Sequence, residues 1–358
     1  MRSTLVKLHR WLGLLCGMVF LMVCLSGFVL LFEEPLADHL NGSLLQSARH
    51  PVSLDILHSA ATQQLQKGER IQRIYLPPNR VQISGPEGKR NLYFSPVDAT
   101  YLGPGQQLMP AVVKFHRTML LSDTGRWITL ASCLFVIFTL LSGLKLWLPS
   151  RLQGLGKALK IKRTGSRRRL FLDLHRVLGV VVALPLLTIA FTGLNYSKIS
   201  EQYRHTIFSA LGEQPLAAPK PVVPSGTPAL SYDQLVERAC QVYPEAELSC
   251  LEPGSKPHDP VKVRFRHPGQ PGEFGQSNVI LHPQTGEVLR ALNAMELPPG
   301  QQFVYVWALP LHRGEAFGWL HKLLWTMVVL AGMTLPLTGF WLWSTRSKTP
   351  RDRGNQPA

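Results

Sequence analysis

Four histidines stand out by type and spacing: His9 in KLHRWLG, His116 in KFHRTML, His175 in DLHRVLG and His312 in PLHRGEA. Each is followed by an arginine, and each lies at or shortly before the start of a long apolar run. His9 and His175 are 166 residues apart, as are Arg10 and Arg176, Gly13 and Gly179, and Gly27 and Gly193. His116 and His312 are 196 apart, as are Arg117 and Arg313, Gly143 and Gly339, and Trp147 and Trp343. The chain is therefore an internal duplication in which each half supplies matching histidines at two levels. Imidazole pairs on facing helices of a four-helix bundle are a way of holding haem, one nitrogen on each face of the iron. The arginine after each histidine offers a guanidinium fork to the haem propionates.

The spacing thus predicts two bis-histidine b haems per chain. His9 and His175 hold one, with Arg10 and Arg176 beside them; His116 and His312 hold the other, with Arg117 and Arg313. His321, which starts the fourth apolar run, is an alternative to His312. Its equivalent at the 196 offset is Gly125, so symmetry favours His312.

The elements that must position these residues are four apolar segments, about Leu12–Phe32, Ile128–Leu148, Val177–Tyr196 and Leu320–Trp343. Each reaches the roughly 20 residues that span a bilayer. The first is too long for a signal-peptide core and ends in Glu33-Glu34-Pro35 without a cleavage pattern, so it reads as a retained anchor. His9 and Gly27 are separated by 18 residues, about 27 Å of helix, and the same holds from His175 to Gly193. Both imidazoles therefore start at one depth.

The 358 residues carry a net charge of +16, which nucleic-acid binding would also produce. The distribution excludes that reading. The stretch from Ser150 to Leu172 holds eight Lys/Arg and no acid, whereas Glu33–Arg126 and Lys198–Gly318 are near balance. Positive charge flanking apolar segments is the positive-inside pattern. It places both termini and the 150–172 linker in the cytoplasm and the two balanced segments outside, in the periplasm of a bacterial inner membrane. The clustered basics read as topology plus anionic lipid, or as a dock for an acidic electron donor.

Each half reads as span, outer domain, span. The chain divides into a first span (1–35), a periplasmic domain (36–110), a lead-in and second span (111–149), and the basic linker (150–172). A third span (173–198), a second periplasmic domain (199–300), a lead-in and fourth span (301–345) and a tail (346–358) complete it. The fold class is an α-helical membrane protein, a duplicated two-plus-two bundle with two small α+β periplasmic domains. In the first of these, Ser53–Leu65 has helical spacing and Gln72–Leu76, Arg80–Ile83 and Asn91–Leu102 read as strands, broken at Pro77-Pro78 and Gly85-Pro86. In the second, Tyr232–Val242 reads as a helix and Glu247–Leu251, Val261–His267 and Asn278–Leu292 as strand-like runs, the last carrying a His-Pro-Gln-Thr-Gly turn at 282–286. Cys240 and Cys250, in an oxidising compartment on this topology, are equally compatible with a disulfide and with free thiols. Gly154-Leu155-Gly156 lacks the third glycine and preceding strand of a dinucleotide fingerprint, so a flavin or nicotinamide domain would sit on another protein.

The segments LHRWLG, FHRTMLLSDTGRW, LHRVLG and LHRGEAFGW resemble those of the PepSY-associated transmembrane family. So do Ser26-Gly27, Ser142-Gly143, Thr192-Gly193 and Thr338-Gly339, late in each span. The resemblance covers nearly the whole chain, but Ser95-Pro96-Val97-Asp98-Ala99-Thr100 departs from the Asp-Pro-x-Thr-Gly turn of that family's outer domain. It implies an inner-membrane protein linked to iron uptake, similar to the haem-containing reductases of ferric siderophores such as ferrioxamine. The expected activity is transfer of electrons from a cytoplasmic or quinol donor to a periplasmic ferric siderophore or other ferric chelate, releasing Fe(II). Phe303, Tyr305, Trp307 and Trp319 then line the chelate site or form an interfacial aromatic belt. Two alternatives stand beside this one: a non-enzymatic binding or regulatory protein, and a metal or haem uptake accessory.

Overall fold

The computed structural model describes residues 2–76, 79–86, 88–149, 155–162, 165–219, 222, 226–256, 258–272 and 274–346. Pro77-Pro78, Arg151, Gly154, Arg163 and the basic tail beyond Arg346 lie outside the described residues. The chain begins with α1 (Arg2–Leu30), α2 (Glu33–Leu40) and α3 (Leu54–Thr62). Strands β1 (Arg70–Tyr75), β2 (Arg80–Gly85), β3 (Gly88–Phe94) and β4 (Tyr101–Pro104) follow, then α4 (Leu108–Thr118), α5 (Ser122–Trp147) and the short α6 (Leu155–Ala158). The second half holds α7 (Arg167–Leu194), α8 (Ser200–Ala210) and α9 (Tyr232–Val242), then β5 (Glu247–Glu252), β6 (Val261–Arg266), β7 (Ser277–Leu281) and β8 (Val288–Leu292). It closes with α10 (Pro299–Gln302), α11 (Ala308–Arg313) and α12 (Gly318–Ser344).

These elements form two compact units. Among the described residues, the helical unit falls within Met1–Phe28, His116–Lys198 and Leu323–Ala358. Its α1, α5, α7 and α12 are each long and apolar enough to cross a membrane, with mean hydropathy between 1.7 and 2.4 over their central windows. A helix satisfies its own backbone, which is why such sequences span lipid as helices. Phe20 of α1, Val136 and Leu140 of α5, Val182 and Leu186 of α7, and Val328 and Leu335 of α12 pack into one core. Small residues set the closest approaches: a Cβ on Gly17 would lie 3.1 Å from Pro336 Cβ, and one on Gly332 3.3 Å from Leu186.

The sheet unit comprises Val29–Phe115 and Ile199–Lys322. The expected pair of small sheets is one continuous antiparallel sheet of eight strands in the order β4-β3-β2-β1-β5-β6-β7-β8. The two halves meet where Ile74 faces Leu251 and Tyr75 faces Cys250, extended by the Leu76 N–H to the Ser249 carbonyl at 3.1 Å. The reason is the size of each half. A core of about 70 residues is marginal alone, and an unpaired edge strand is a liability. Joining β1 to β5 removes two edges and lets α3 and α9 cover one shared core. Leu57, Ile74, Val81, Ile83, Leu92 and Phe94 from the first half join Leu235, Leu251, Val263, Phe265, Val279 and Leu281 from the second.

One expected strand is split: Asn91–Leu102 becomes the end of β3 and the start of β4. Asn278–Leu292 forms β7 and β8 on either side of the expected turn at 282–286. Cys240, on α9, and Cys250, on β5, are not bonded to one another; all five cysteines are free.

Candidate functional site

His9 sits in the second turn of α1 and His175 in the third turn of α7. Both helices begin at the end of the bundle where α5 and α12 finish, and each ring finds a hydroxyl there. His9 Nδ1 is 3.0 Å from Ser142 Oγ of α5, and His175 Nδ1 is 2.8 Å from Thr338 Oγ1 of α12. The next residue in each case is glycine. A Cβ at Gly143 would lie 3.2 Å from His9 Cε1, and one at Gly339 3.6 Å from His175 Cε1. The Ser/Thr-Gly pairs thus seat the imidazoles edge-on against the neighbouring span.

The local sequence holds the lead-in to α7 firmly. Ser166 caps the helix by accepting from the Arg169 N–H, and the buried Asp173 carboxylate pairs with Arg169 at 3.2 Å. Asp173 also accepts the Lys162 backbone N–H at 3.3 Å. The described part of the basic linker is therefore tied to the first turns of α7, two residues before His175.

The rings of His9 and His175 face one another with centroids 6.4 Å apart and planes 85° apart. Both line a cavity of about 580 Å³ within the helical unit. Its walls are apolar, from residues such as Phe20, Val136, Leu140 and Phe340, and Gly13, Gly17 and Gly179 open its sides. Among the described residues, Arg2, Arg10, Arg168, Arg176 and Arg346 line it and no acidic side chain does. An apolar slot with cationic groups suits a flat apolar molecule that carries anionic groups.

Of the predicted residues, His9, His175, Arg10 and Arg176 lie together around this cavity. The other four predicted residues are divided between the units. His116, at the end of α4, belongs to the helical unit, where its Nδ1 is 3.0 Å from Ser26 Oγ. A Cβ on Gly27 would lie 3.2 Å from His116 Cε1, so the hydroxyl-glycine seat recurs. Arg117 donates to the Tyr196 carbonyl at 3.4 Å. His312 and Arg313, on α11, belong to the sheet unit. Arg313 is held by carboxylates, at 2.8 Å from Glu315, 3.3 Å from Glu33 and 4.0 Å from Glu34, a different setting from the propionate role expected of it. His321 is buried in the first turn of α12 with its ring 5.2 Å from Phe317.

The turn after His116 is strained. Met119, Leu120 and Ser122 all have positive φ, at 48°, 61° and 50°. Non-glycine residues rarely adopt this conformation, and such clusters gather at functional sites. Gly125 allows the chain to fold back here, since a Cβ would overlap the Thr118 carbonyl.

Among the described residues, no group of three or more His, Cys, Asp or Glu is arranged to hold a bare metal ion. The sequence reading missed the part played by Ser142, Thr338 and Ser26. The signal was present in the Ser/Thr-Gly pairs late in each span, which in the sequence carry only the family resemblance.

No curated protein matches the chain. The family model of the PepSY-associated TM region matches residues 6–346, nearly the whole length, and the chain belongs to that family.

Proposed function

We propose that the protein is a di-haem oxidoreductase of the bacterial inner membrane, with both termini cytoplasmic. It passes electrons across the bilayer to a periplasmic ferric siderophore or other ferric chelate and releases Fe(II). The observation that carries this reading is the pair His9 and His175, 6.4 Å apart across an apolar, arginine-lined cavity. A metal–imidazole bond of about 2 Å puts a ring centroid about 3 Å from the ion, so two imidazoles sharing one ion would have centroids about 6 Å apart. The residues present therefore fit haem. Two protein nitrogens suffice because a macrocycle fills the remaining positions, and the arginines match its propionates.

In this reading His9 and His175 would hold one haem, with Arg10 and Arg176 placed to neutralise its propionates. By the duplication alone, His116 and His312 would hold the second, with His321 as the alternative to His312. Haem, when bound, supplies a one-electron carrier. The chain positions it, excludes water with the apolar walls, and tunes its potential through the groups that hold each imidazole. No general acid or base is required. Reduction favours release because hard oxygen donors hold Fe(III) more tightly than Fe(II). The donor is a cytoplasmic protein or a quinol.

The visible spectrum of the purified protein tests the reading. Sharp reduced bands of bis-histidine haem, at about two equivalents per chain, are expected. A colourless protein would hand the case to the non-enzymatic binding or regulatory alternative. Reporter fusions in 155–162 and in 226–230 should report opposite sides of the membrane; the same side for both would remove the two-level arrangement.

A further inference from the structure

We infer that Ser142 and Thr338 are positioning residues that fix the tautomer of His9 and His175, and that Ser26 does the same for His116. The argument is a count of protons. A serine or threonine hydroxyl has one proton to give. Ser142 Oγ lies 3.1 Å from the Thr139 carbonyl of its own helix. Thr338 Oγ1 lies 2.7 Å from the Thr334 carbonyl and 3.1 Å from that of Leu335. Ser26 Oγ lies 2.9 Å from the Met22 carbonyl and 3.0 Å from that of Val23. Carbonyl oxygens only accept, so each hydroxyl donates into its own helix, the usual bond of a hydroxyl within a helix.

The oxygen that remains toward each histidine is then an acceptor. At 3.0 Å, 2.8 Å and 3.0 Å it accepts from Nδ1–H of His9, His175 and His116. A neutral imidazole carries one N–H, so the lone pair falls on Nε2. In the reverse arrangement, with the hydroxyl donating to Nδ1, Nε2 would carry hydrogen and could not bind iron. The neighbouring glycine completes the device: the 3.2 Å from a Cβ at Gly143 to His9 Cε1 leaves little room for a side chain without moving the ring. Ser/Thr-Gly therefore selects both the tautomer and the tilt of the imidazole. The recurrence of the arrangement at three histidines, at both ends of the bundle, argues for a role beyond ordinary helix packing.

This inference deepens the haem reading of His9 and His175 and rests on it for its redox consequence. A hydrogen bond from Nδ1–H makes the ligand more basic, and losing such a partner typically weakens binding about tenfold to a hundredfold. In full-length protein, Ser142→Ala and Thr338→Val should each raise the midpoint potential of the His9/His175 haem and lower its retention about tenfold or more. Ser142→Thr and Thr338→Ser, which keep the hydroxyl, should restore both values. Histidine labelled with 15N, read by solid-state NMR on the dithionite-reduced protein, should show His9 and His175 protonated on Nδ1. Wild-type potential and retention in both hydroxyl-free variants would overturn the inference while leaving the haem reading standing. A colourless wild-type protein would instead overturn the haem reading. The nitrogen shifts would then decide the tautomer alone, Nδ1–H supporting the inference and Nε2–H sinking it.

Discussion

Asp55 and Asp233 cap each other's helices. The Asp55 carboxylate accepts the Tyr232 N–H at the start of α9, at 2.9 Å and 3.2 Å. Asp233 accepts the Leu54 N–H at the start of α3, at 3.0 Å and 3.2 Å, together with the Ser53 hydroxyl. Each carboxylate therefore satisfies an orphan donor and meets the positive end of the opposite helix dipole. The offset between the two is 178 residues, a third register of the duplication beside 166 and 196. Asp55→Ala and Asp233→Ala should each destabilise the full-length protein by about 1–2 kcal/mol in chemical denaturation. The double variant should lose less than the sum, because the two caps share one interface.

Glu252 ties the two halves of the sheet together. Its carboxylate sits 2.7 Å from Arg73 of β1, 2.7 Å from Arg264 and 3.2 Å from Lys262 of β6. Burial alone would push this acid up, but Arg264, Lys262 and Arg73 bring it down to about 2. A carboxyl lowered on folding contributes stability that is present above its unfolded value, near 4.3, and is lost as pH falls through 2. Glu252→Gln should cost about 3 kcal/mol at neutral pH and progressively less toward pH 2. A variant whose deficit is the same at every pH would show that the carboxylate charge is not what joins the halves.

Much of this architecture is legible in the sequence, and the reason differs by element. The four spans follow from apolar runs alone, because lipid leaves the backbone no alternative to a helix. The meeting of His9 and His175 follows from the duplication, because equal offsets place equivalent residues at equal depth. The fusion of the two sheets is not legible. It depends on a short pairing of Ile74 and Tyr75 with Leu251 and Cys250, whose alternation reads the same in an edge strand as in a central one. Ser142 and Thr338 were legible only as parts of the recurrent Ser/Thr-Gly pairs. Their distance in sequence from His9 and His175, 133 and 163 residues, hides the contact.

The turns at 95–100 and 282–287 show the limit of motif reading. Ser95–Thr100 lacks the glycine of its counterpart, yet the backbone is the same. Ser95 N–H bonds the Thr100 carbonyl and Ala99 N–H the Ser95 carbonyl, while His282 bonds Glu287 and Gly286 bonds His282 in the same way. Ala99 takes φ 58° where Gly286 takes 70°. The fold thus tolerates a left-handed alanine at one turn. At the other, a Cβ would also meet the Arg238 guanidinium at 2.5 Å. Gly286→Ala should therefore destabilise by about 2 kcal/mol, from backbone strain plus displacement of Arg238. A loss well below 1 kcal/mol, measured as a shift in denaturation midpoint, would show that Arg238 simply moves aside.

Haem content separates the two histidine pairs. His175→Ala should remove about one equivalent per chain and leave the other spectrally intact, read by pyridine haemochrome assay. His9→Ala should give the same result, because the haem would then be held by one ring alone. Full pigment in both variants, and in His116→Ala and His312→Ala, would end the assignment. Loss of the second equivalent only in His321→Ala would move the second ligand from His312 to His321.

Dithionite-reduced protein should be reoxidised by a ferric siderophore, with the Fe(II) captured by ferrozine. His116→Ala or His312→Ala should slow this transfer roughly tenfold or more while the His9/His175 haem stays reducible. A stopped-flow trace at the haem bands reads the first quantity, and dithionite titration of the same sample reads the second. The two together distinguish a broken path from a lost cofactor. Equal loss of both would mean that the variant disrupts the bundle and not the transfer. Reduced protein that ignores ferric chelates but is reoxidised by another acceptor outside the membrane would keep the oxidoreductase and remove iron as its substrate.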